Sequence, residues 1–200
     1  MFTGIITGLG RVTHHEPIGD GQRISVACGD WNLVDVAIGD SIAHSGCCLT
    51  IIEKGAGVLK SDVSAHSLTI VSGLQIGALV NLEKSMTLVD RLGGHLVTGH
   101  IDATGTVTEW RNVAESWFLE IEAPPQLAKF IAQKGSITVN GVSLTVNSVE
   151  DTVSGVRFQI NVIPHTFQVT NFCELKQGAR VNLEIDTIAR YVERMTQFSA

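Results

Sequence analysis

The sequence predicts an all-β protein made of two tandem antiparallel barrels and a C-terminal helix. The first observation is an internal repeat, because residues 3–12 recur 95 positions later as residues 98–107. The second is a series of short runs rich in β-branched and aromatic residues, separated by turn residues, as in small β barrels. The third is an amphipathic pattern near the end of the chain, which is typical of a helix.

The repeat runs through most of the chain. Residues 136–145 align with residues 41–50 at the same shift, and residues 80–83 recur unchanged as residues 181–184 after two insertions. A period of this length indicates a duplicated domain, since solenoid repeats are far shorter. In a chain of 200 residues, each half can hold one modest hydrophobic core. We therefore expect two similar barrels with two similar pockets.

Each barrel is predicted to contain five or six strands. Asn140-Gly141 forms a two-residue turn, with Ser45-Gly46 at the repeat position, and such turns join antiparallel strands because Asn and Gly tolerate positive φ. The predicted strands cover residues 23–28, 41–44, 48–53, 58–64 and 79–84, then 104–110, 118–122, 136–139, 143–149, 157–163 and 180–185.

Two helices are predicted outside the barrels. Pro124-Pro125, followed by apolar residues at helical spacing, indicates a short helix across one barrel end, with residues 31–36 as its counterpart. The terminal helix has an apolar face formed by Ile188, Tyr191, Val192, Met195 and Phe198. This face packs against its own barrel or against another copy of the chain, and the pattern supports both equally. Gly93-Gly94-His95 is interpreted as a hinge between the halves.

Composition excludes several classes of protein. With 44% hydrophobic and 17% charged residues, the chain is expected to be compact and globular. A net charge of -6 without clusters of Lys and Arg excludes a nucleic-acid partner and disfavours phosphate-rich ligands. The sequence shows no signal peptide and no apolar run of membrane-spanning length, so we expect a cytoplasmic protein without a membrane partner.

Motifs for metals and nucleotides are missing. The four cysteines have neither disulfide-framework nor metal-ligand spacing, and we expect reduced thiols. Zinc-site, P-loop and Rossmann motifs lack their minimum residues, so no metal site is predicted. Candidate chemistry is therefore sought where the two halves differ.

The halves differ at positions that carry polar chemistry. Cys48 aligns with Ser143 in a repeated Cys/Ser-Leu-Thr triplet, and Ile5 aligns with His100. Two related pockets with different polar groups could hold two copies of one ligand and treat them differently. A lone Cys on a strand is more often a core residue than a nucleophile, and His100 also suits a structural role. Both alternatives stay open on these residues alone.

Seven motifs occur in fixed order along the chain: MFTGII at 1–6, GCCLT at 46–50, GGHLVTGHID at 93–102, KGS at 134–136, NGVSLT at 140–145, IPHT at 163–166 and VNLEID at 181–186. Together they make the whole chain resemble the riboflavin synthase family of duplicated lumazine-binding proteins. The resemblance implies six-stranded Greek-key barrels over residues 1–95 and 96–186, and an oligomerisation helix over residues 187–200. It also implies a homotrimer joined by those helices, with the first barrel of one subunit facing the second barrel of its neighbour.

The resemblance further implies a transferase that needs no cofactor and no metal. Family members dismutate two molecules of 6,7-dimethyl-8-ribityllumazine by moving a four-carbon unit, which gives riboflavin and 5-amino-6-(D-ribitylamino)uracil. The alternative is a non-catalytic lumazine or flavin carrier of the same fold, although both triplets and His100 are intact and favour the enzyme. A flavin-dependent reductase is excluded, because the only tyrosine, Tyr191, lies in the terminal helix and no residues remain for a nucleotide domain.

The catalytic residues implied by the resemblance come from both halves. His100 is the candidate for proton transfer from the C7 methyl of one lumazine, since imidazole titrates near neutral pH. Cys48 or Ser41, or a water that they position, would supply the nucleophile that activates the other lumazine, and Ser143 is the counterpart of Cys48. Asp186 would orient one of these groups or act as a helix N-cap.

The implied substrate contacts form two groups, in which backbone groups bind the pyrimidinedione edge and short polar side chains bind the ribityl chain. The first pocket would comprise Gly4, Ile5, Ile6, Cys48, Leu49, Thr50, Asp62, Val63, Ser64, Ala65, His66 and Ser67. The second would comprise Gly99, His100, Ile101, Lys134, Ser143, Leu144, Thr145, Asn161, Val162, Ile163, Pro164, His165 and Thr166.

Four positions depart from the family pattern. Asn140 replaces an Asp found in many members, which weakens any role for a carboxylate at that hairpin. His66-Ser67 stands in place of Glu-Thr, and Val71 stands in place of Thr. We expect these changes to alter the first ribityl pocket without abolishing binding.

Overall fold

The structure is a computed structural model that describes residues 1–198. Residues 199–200, the end of the predicted C-terminal segment, lie outside the described residues. The first half contains strands β1 Gly8–Ile18, β2 Gly21–Ala27, β3 Ser41–His44, β4 Cys47–Gly55, β5 Val58–Val63 and β6 Leu79–Lys84, and helix α1 Ala65–Ile70. The second half contains strands β7 Ala103–Val113, β8 Ser116–Ala123, β9 Ser136–Val139, β10 Val142–Thr145, β11 Ser148–Asp151, β12 Val156–Val162 and β13 Arg180–Ile185. Its helices are α2 Pro164–Val169, α3 Thr187–Thr196 and short 3-10 helices at Pro125–Phe130 and Asn171–Glu174.

The two halves share one strand order. In the first half, the order β1-β2-β5-β4-β3-β6 closes into an antiparallel barrel because β6 pairs back onto β1. In the second half, a curled seven-stranded sheet has the order β10-β9-β13-β7-β8-β12-β11. The two orders become equivalent when β10 and β11 are treated as two pieces of the counterpart of β4. The predicted all-β fold of two tandem barrels with a C-terminal helix is confirmed.

The counterpart of β4 is divided at Val146, so the single strand predicted over residues 143–149 is wrong. The Val146 N–H donates to the Gly135 carbonyl at 3.0 Å, and its carbonyl accepts the Lys134 N–H at 2.8 Å. Ile51, at the repeat position within β4, makes the same two bonds with residues 39–40. β4 carries a bulge directly after Ile51. The same irregularity interrupts the strand in the second half, and such bulges leave little trace in a hydrophobic pattern.

Strand β1 is not predicted by the sequence pattern, because Gly8, Gly10 and Pro17 weaken the β signal. Gly10 is nevertheless required inside the barrel, since a Cβ at this position would lie 2.5 Å from Cγ1 of Val26. Its counterpart Gly105 has the same close approach to the core of the second barrel. The glycines that obscure the strand are therefore part of its packing.

The helix predictions are partly corrected. Residues 125–130 form a 3-10 helix behind Pro124, as the proline pattern suggests, but residues 31–36 form no helix. Helices α1 and α2 are absent from the sequence prediction. Their N-caps, Ser64 and Ile163, lie at the ends of the runs predicted as strands 58–64 and 157–163. Each helix begins where its strand leaves the barrel.

The barrels meet through a polar interface of nearly twofold symmetry. Asn81 donates from Nδ2 to the carbonyl of Asn140 at 2.8 Å, and Asn182 donates from Nδ2 to the carbonyl of Ser45 at 2.9 Å. Asn140, one of the departures from the family pattern, also accepts the Asn182 N–H on its Oδ1 at 2.8 Å. These residues come from the repeated VNLE and turn motifs, so the repeat itself builds the interface.

Helix α3 leaves the second barrel with its apolar face exposed. Asp186 is its N-cap and accepts the Ile188 N–H at 2.8 Å, while Arg190 pairs with Asp102 at 2.8 Å and ties the helix to the barrel. The side chains of the apolar face are 55% to 72% exposed: Ile188, Tyr191, Val192, Met195 and Phe198. Packing of this face against its own barrel is therefore contradicted. Within residues 1–198, no helix combines the length and apolar character needed to cross a membrane.

Candidate active site

Each barrel opens where two neighbouring strands part. In the first barrel, β4 pairs with β5 from Ile51 onwards. β5 itself continues along β2 as far as Val63. Among the strands of residues 1–198, the part of β4 before Ile51 pairs with β3 alone, so a gap opens between β4 and β5. We call this gap the first cleft, bordered by residues 48–50 and 62–67.

The second barrel has an equivalent gap. β12 pairs with β11 as far as Gln159 and continues along β8 to Val162, whereas β10 ends at Thr145. We call the gap between β10 and β12 the second cleft, bordered by residues 143–145 and 161–166. Most of the predicted substrate contacts therefore lie on the borders of two equivalent clefts, each with a short helix at its end.

The segments that precede each barrel are exchanged, which corrects the predicted grouping. The Cys48 N–H donates to the carbonyl of Gly99 at 2.8 Å, and the Ser143 N–H donates to the carbonyl of Gly4 at 2.8 Å. Residues 99–101 therefore line the first cleft and residues 4–6 line the second, the reverse of the prediction. Each segment crosses the pseudo-twofold axis, where an isolated bridge pairs Phe2 with the second segment.

Backbone groups face both clefts. Because alternate residues of an antiparallel strand direct their N–H and carbonyl groups to the same side, the Cys48 bond places those of Thr50 on the cleft side. The Ser143 bond does the same for Thr145. A planar heterocycle with amide-like edges matches this pattern of alternating donors and acceptors.

Strand alternation decides which side chains at the cleft borders are buried and which are exposed. Leu49, Val63 and Val162 are buried in the barrel cores, so at these predicted contacts only backbone groups can reach a ligand. The exposed border side chains are Thr50, Asp62, Ser64, Ala65, His66, Thr145, Asn161, Ile163, Pro164 and His165. Cys48, Ser67, Ser143, Leu144 and Thr166 are half-buried.

Asp62 already has a partner at the first cleft. Arg23 donates to its two carboxylate oxygens at 2.8 and 3.1 Å, and this guanidinium holds the pKa of Asp62 below its usual range. Ser64 accepts the Ser67 N–H at 3.1 Å and lies 3.0 Å from the Ser67 hydroxyl. Asp62, Ser64 and Ser67, short polar side chains that could bind a ribityl chain, are thus already hydrogen-bonded.

Two catalytic candidates, Ser41 and Cys48, lie together at the first cleft. Ser41 lies directly opposite Thr50 in the β3–β4 pair, and opposite residues of an antiparallel pair share a face. Cys48 lies two residues before Thr50 on that same face. His100 follows Gly99, the residue that accepts the Cys48 N–H, and its exposed side chain lines a cavity of about 390 Å³ with residues of α3. The thiol and two hydroxyls therefore share one face, and the backbone that leads into His100 lies beside it.

His95 is a further candidate, in a segment that the sequence pattern predicts only as a hinge. Its Nδ1 lies 2.7 Å from the Ser143 hydroxyl, and its Nε2 lies 3.2 Å from the Thr138 hydroxyl. Burial lowers the pKa of His95, with the charge of Asp186 acting in the opposite direction. A neutral imidazole bonded to a hydroxyl is suited to accept its proton. The available sequence signal is a His directly after two glycines.

Gly94 explains why this His sits so close to the second cleft. A Cβ on Gly94 would lie 2.1 Å from the Thr3 carbonyl oxygen and 2.7 Å from Cβ of Ser143. The hinge interpretation is wrong at this position, because Gly94 and His95 are packed against β10. The glycine permits a close approach of two chain segments.

Lys134 is held in a strained backbone conformation. Its φ is 66°, in the left-handed region, and its repeat counterpart Gly39 has a φ of 98°. A side chain in this region costs roughly 1 kcal/mol, and such strain concentrates at functional sites. The backbone of Lys134 lies beside the break between β10 and β11, because the Lys134 N–H donates to the Val146 carbonyl, and the residue is exposed. Among the described residues, no group of three or more His, Cys, Asp or Glu side chains could hold a metal ion.

Both halves match the model of the lumazine binding domain, over residues 3–85 and 98–186. The chain is 42% identical to the riboflavin synthase of Photobacterium phosphoreum, over 98% of this chain and 88% of that protein. It is 40% identical to the riboflavin synthase of Brucella abortus (strain 2308), over 99% of both. The chain belongs to the riboflavin synthase family. As a member of the riboflavin synthase family, the protein is an enzyme.

Solved structures with the fold of the riboflavin synthase family include complexes of LumP. The complex with 6,7-dimethyl-8-(1'-D-ribityl) lumazine matches at a TM-score of 0.81 and 26% identity, and the complex with riboflavin matches at 0.84 and 27%. Each match covers 92% of this chain and 99% of LumP. The duplicated architecture is therefore shared with proteins that bind lumazine and flavin.

Proposed function

We propose that this enzyme dismutates two molecules of 6,7-dimethyl-8-ribityllumazine to riboflavin and 5-amino-6-(D-ribitylamino)uracil. A four-carbon unit passes from one lumazine to the other, so that no oxidant, reductant or other co-reactant is consumed. The observation that carries the proposal is the pair of equivalent clefts in one chain, which differ in the aligned residues Cys48 and Ser143. A reaction between two copies of one compound needs similar binding but unlike activation.

Alignment of the two lumazines accounts for much of the expected rate. When two reactants are held in reacting geometry, their encounter becomes effectively intramolecular, which can lower the barrier by roughly 7 to 11 kcal/mol. Backbone groups at Thr50 and Thr145 would hold the two heterocycles in the same way. The ribityl chains would lie along the polar residues at the start of α1 and α2.

The first cleft would supply a base and a nucleophile. The chemistry needs removal of a proton from the C7 methyl of one lumazine, because the resulting carbanion is delocalised into the ring. We assign this transfer to His100, which is exposed and directly follows Gly99 at the border of the first cleft. Cys48, Ser41 or a water between them would add to the other lumazine, which the carbanion attacks, and would later leave, restoring the same nucleophile.

The second cleft would use a different pair of groups. His95 is placed to accept a proton from the Ser143 hydroxyl at 2.7 Å while the Thr138 hydroxyl holds its other nitrogen. Lys134 and the residues at the start of α2 would then bind the second ligand. Asp186 caps α3 and acts on His95 through its charge, so we assign it an orienting role.

We propose a homotrimer held by the apolar face of α3, with the first cleft of one subunit facing the second cleft of its neighbour. The exposure of Ile188, Tyr191 and Val192 supports self-association. Clefts on the outer face of each barrel favour a site that closes only when two subunits meet. This assembly would exclude water from the reacting heterocycles.

The decisive experiment is to incubate purified protein with the lumazine alone and to follow riboflavin by absorbance. We expect turnover without additives, and tight binding with no riboflavin would assign the protein to the carrier class instead. His100→Ala is expected to lower kcat by roughly a hundredfold or more while changing the dissociation constant of riboflavin much less. Equal losses in both quantities would reduce His100 to a binding residue.

A further inference from the structure

Two buried carboxylates that the proposed reaction does not use occupy equivalent positions in the two halves. Glu83 in β6 and Glu184 in β13 are 4% and 1% exposed. Glu83 accepts the Thr3 N–H and hydroxyl on Oε1 at 2.6 and 2.7 Å, and the Gly4 N–H on Oε2 at 3.0 Å. The carboxylate therefore holds the segment that leads into the first barrel.

Glu184 makes the same three bonds in the second half. It accepts the Thr98 N–H and hydroxyl at 2.6 and 2.7 Å, and the Gly99 N–H at 3.0 Å. Among residues 1–198, no ion pair involves either Glu83 or Glu184. Burying a carboxylate is costly unless hydrogen bonds compensate. The compensation comes here from the chain segment itself.

The held segments do not serve the barrel that holds them. The Gly99 carbonyl, directly after the Glu184 contacts, accepts the Cys48 N–H of the first barrel. The Gly4 carbonyl, directly after the Glu83 contacts, accepts the Ser143 N–H of the second barrel. Each glutamate is thus connected, through one residue, to the cleft of the opposite barrel.

A threonine hydroxyl extends each connection to the next residue at the border of the cleft, His100 or Ile5. The Thr98 hydroxyl donates to Glu184 and accepts the His100 N–H at 3.3 Å. In the other half, the Thr3 hydroxyl donates to Glu83 and accepts the Ile5 N–H at 3.2 Å. The orientation of His100 at the first cleft therefore depends on Glu184, and that of Ile5 at the second cleft depends on Glu83.

We propose that Glu184 is a positioning residue for the first cleft and Glu83 a positioning residue for the second, so that each barrel controls the cleft of the other. Gly99 packs closely against Cys48 at the border of the first cleft, because a Cβ on Gly99 would lie 2.6 Å from Cβ of Cys48. Displacement of residues 98–100 therefore exposes Cys48 and moves His100 at the same time. Only the identity of the ligand in this inference rests on the proposed function.

Cysteine labelling tests the inference without any ligand. Cys28 and Cys47 are buried, Cys48 is half-buried and Cys173 is exposed. In a Cys173→Ser background, labelling of Cys48 by iodoacetamide, located by peptide mass spectrometry, reports on the first cleft. Glu184→Gln should raise its rate roughly tenfold or more, because the amide cannot accept all three bonds. Glu83→Gln should leave the rate unchanged.

A second pair of variants moves the probe to the second cleft. Cys48→Ser combined with Ser143→Cys, again with Cys173→Ser, exchanges the aligned residues of the repeat. In this background, Glu83→Gln should raise the labelling of the thiol at position 143, and Glu184→Gln should not. Labelling of Cys28 and Cys47 is the control, since global loosening would expose these buried thiols as well.

The outcomes separate the inference from the proposed function. The proposal is overturned if a glutamine variant speeds thiol labelling at the cleft of the barrel that contains the substituted glutamate. It is also overturned if labelling rises at both clefts together with labelling of Cys28 and Cys47. Thr98→Val and Thr3→Val, which remove one hydroxyl each, repeat the test if a glutamine variant does not fold. Crosswise labelling in a protein that makes no riboflavin from lumazine would retain the positioning role and reject the proposed reaction.

Discussion

His95 and Ser143, 48 residues apart in sequence, are joined by a hydrogen bond of 2.7 Å between the imidazole Nδ1 and the hydroxyl. Burial lowers the pKa of His95, so the ring is neutral at neutral pH, with one nitrogen donating and the other accepting. Thr138 binds the second nitrogen, and its repeat counterpart in the first half is Ala43. The two clefts therefore differ in how their aligned Cys and Ser are supported.

Ser143→Ala should destabilise the protein by roughly 1 to 3 kcal/mol, because a buried ring nitrogen of His95 loses its partner. Urea unfolding at neutral pH measures this free energy. Ser154→Ala is the control, since Ser154 is exposed and its removal should change stability by less than about 0.5 kcal/mol. Equal small changes in both variants would show that the His95 bond contributes nothing to folding.

Gly99→Ala should cost far more stability than Gly178→Ala. Both glycines have left-handed backbones, with φ of 81° and 83°, so both substitutions carry a conformational cost of roughly 1 kcal/mol. A Cβ on Gly99 would in addition lie 2.6 Å from Cβ of Cys48, whereas no atom of the described residues lies within 4 Å of one on Gly178. Similar melting temperatures for the two variants would contradict the close packing of Gly99 against Cys48 at the first cleft.

The internal repeat explains why the fold class was predictable and the grouping of the site was not. A shift of 95 residues identifies Gly4 with Gly99 and Cys48 with Ser143, so it shows which residues are equivalent. It does not show which barrel a segment contacts, and both segments cross to the opposite barrel. The short helices after β5 and β12 escape prediction for a related reason, since six residues are too few to establish a helical period.

His95 marks the limit of comparing the halves with each other. The repeat offers no counterpart for it in the sequence, so no difference between the halves draws attention to it. Its two glycine neighbours suggest flexibility, but Gly94 is small because Thr3 and Ser143 press against it. A glycine signal cannot separate a hinge from a close approach of two segments.

Lys134→Gly should weaken riboflavin binding without lowering stability. The substitution removes the ammonium but supplies the residue that a φ of 66° favours, so the free energy of unfolding should stay within about 1 kcal/mol of wild type. Isothermal titration with riboflavin and urea unfolding measure the two effects. Ala114→Gly, which relieves a φ of 52° in the β7–β8 turn, should leave binding unchanged. Unaltered affinity in Lys134→Gly would remove Lys134 from the site.

Charges on the apolar face of α3 should dissociate the assembly. Tyr191→Asp with Val192→Glu places two carboxylates where self-association would bury the side chains, and burial of unpaired charge is strongly unfavourable. Sedimentation equilibrium should give the mass of a single chain, and riboflavin formation should fall with it. Gln197→Glu adds charge at the C-cap of α3, outside the apolar face, and should keep the wild-type mass. A monomeric double variant with full activity would contradict a site shared between subunits.

His44→Val should make the protein less sensitive to acid. His44 is fully buried in the first barrel, its Nε2 has no hydrogen-bond partner among residues 1–198, and burial lowers its pKa from 6.5 to about 4. As the pH falls from 6.5 towards 4, the unfolded chain takes up a proton that the folded chain refuses, so stability is lost across this window. The loss amounts to roughly 3 kcal/mol.

The repeat supplies the replacement for this test, because Val139 occupies the position of His44 in the second barrel. The change in packing shifts the stability of His44→Val by a constant amount, whereas the lost proton uptake shifts it with pH. Urea unfolding at several pH values from 7 to 4.5 should therefore show the variant gaining on wild type as the pH falls. The acid sensitivity contributed by His95 is present in both wild type and the variant. Curves that run parallel across the range would mean that His44 is protonated in the folded barrel as readily as in the unfolded chain.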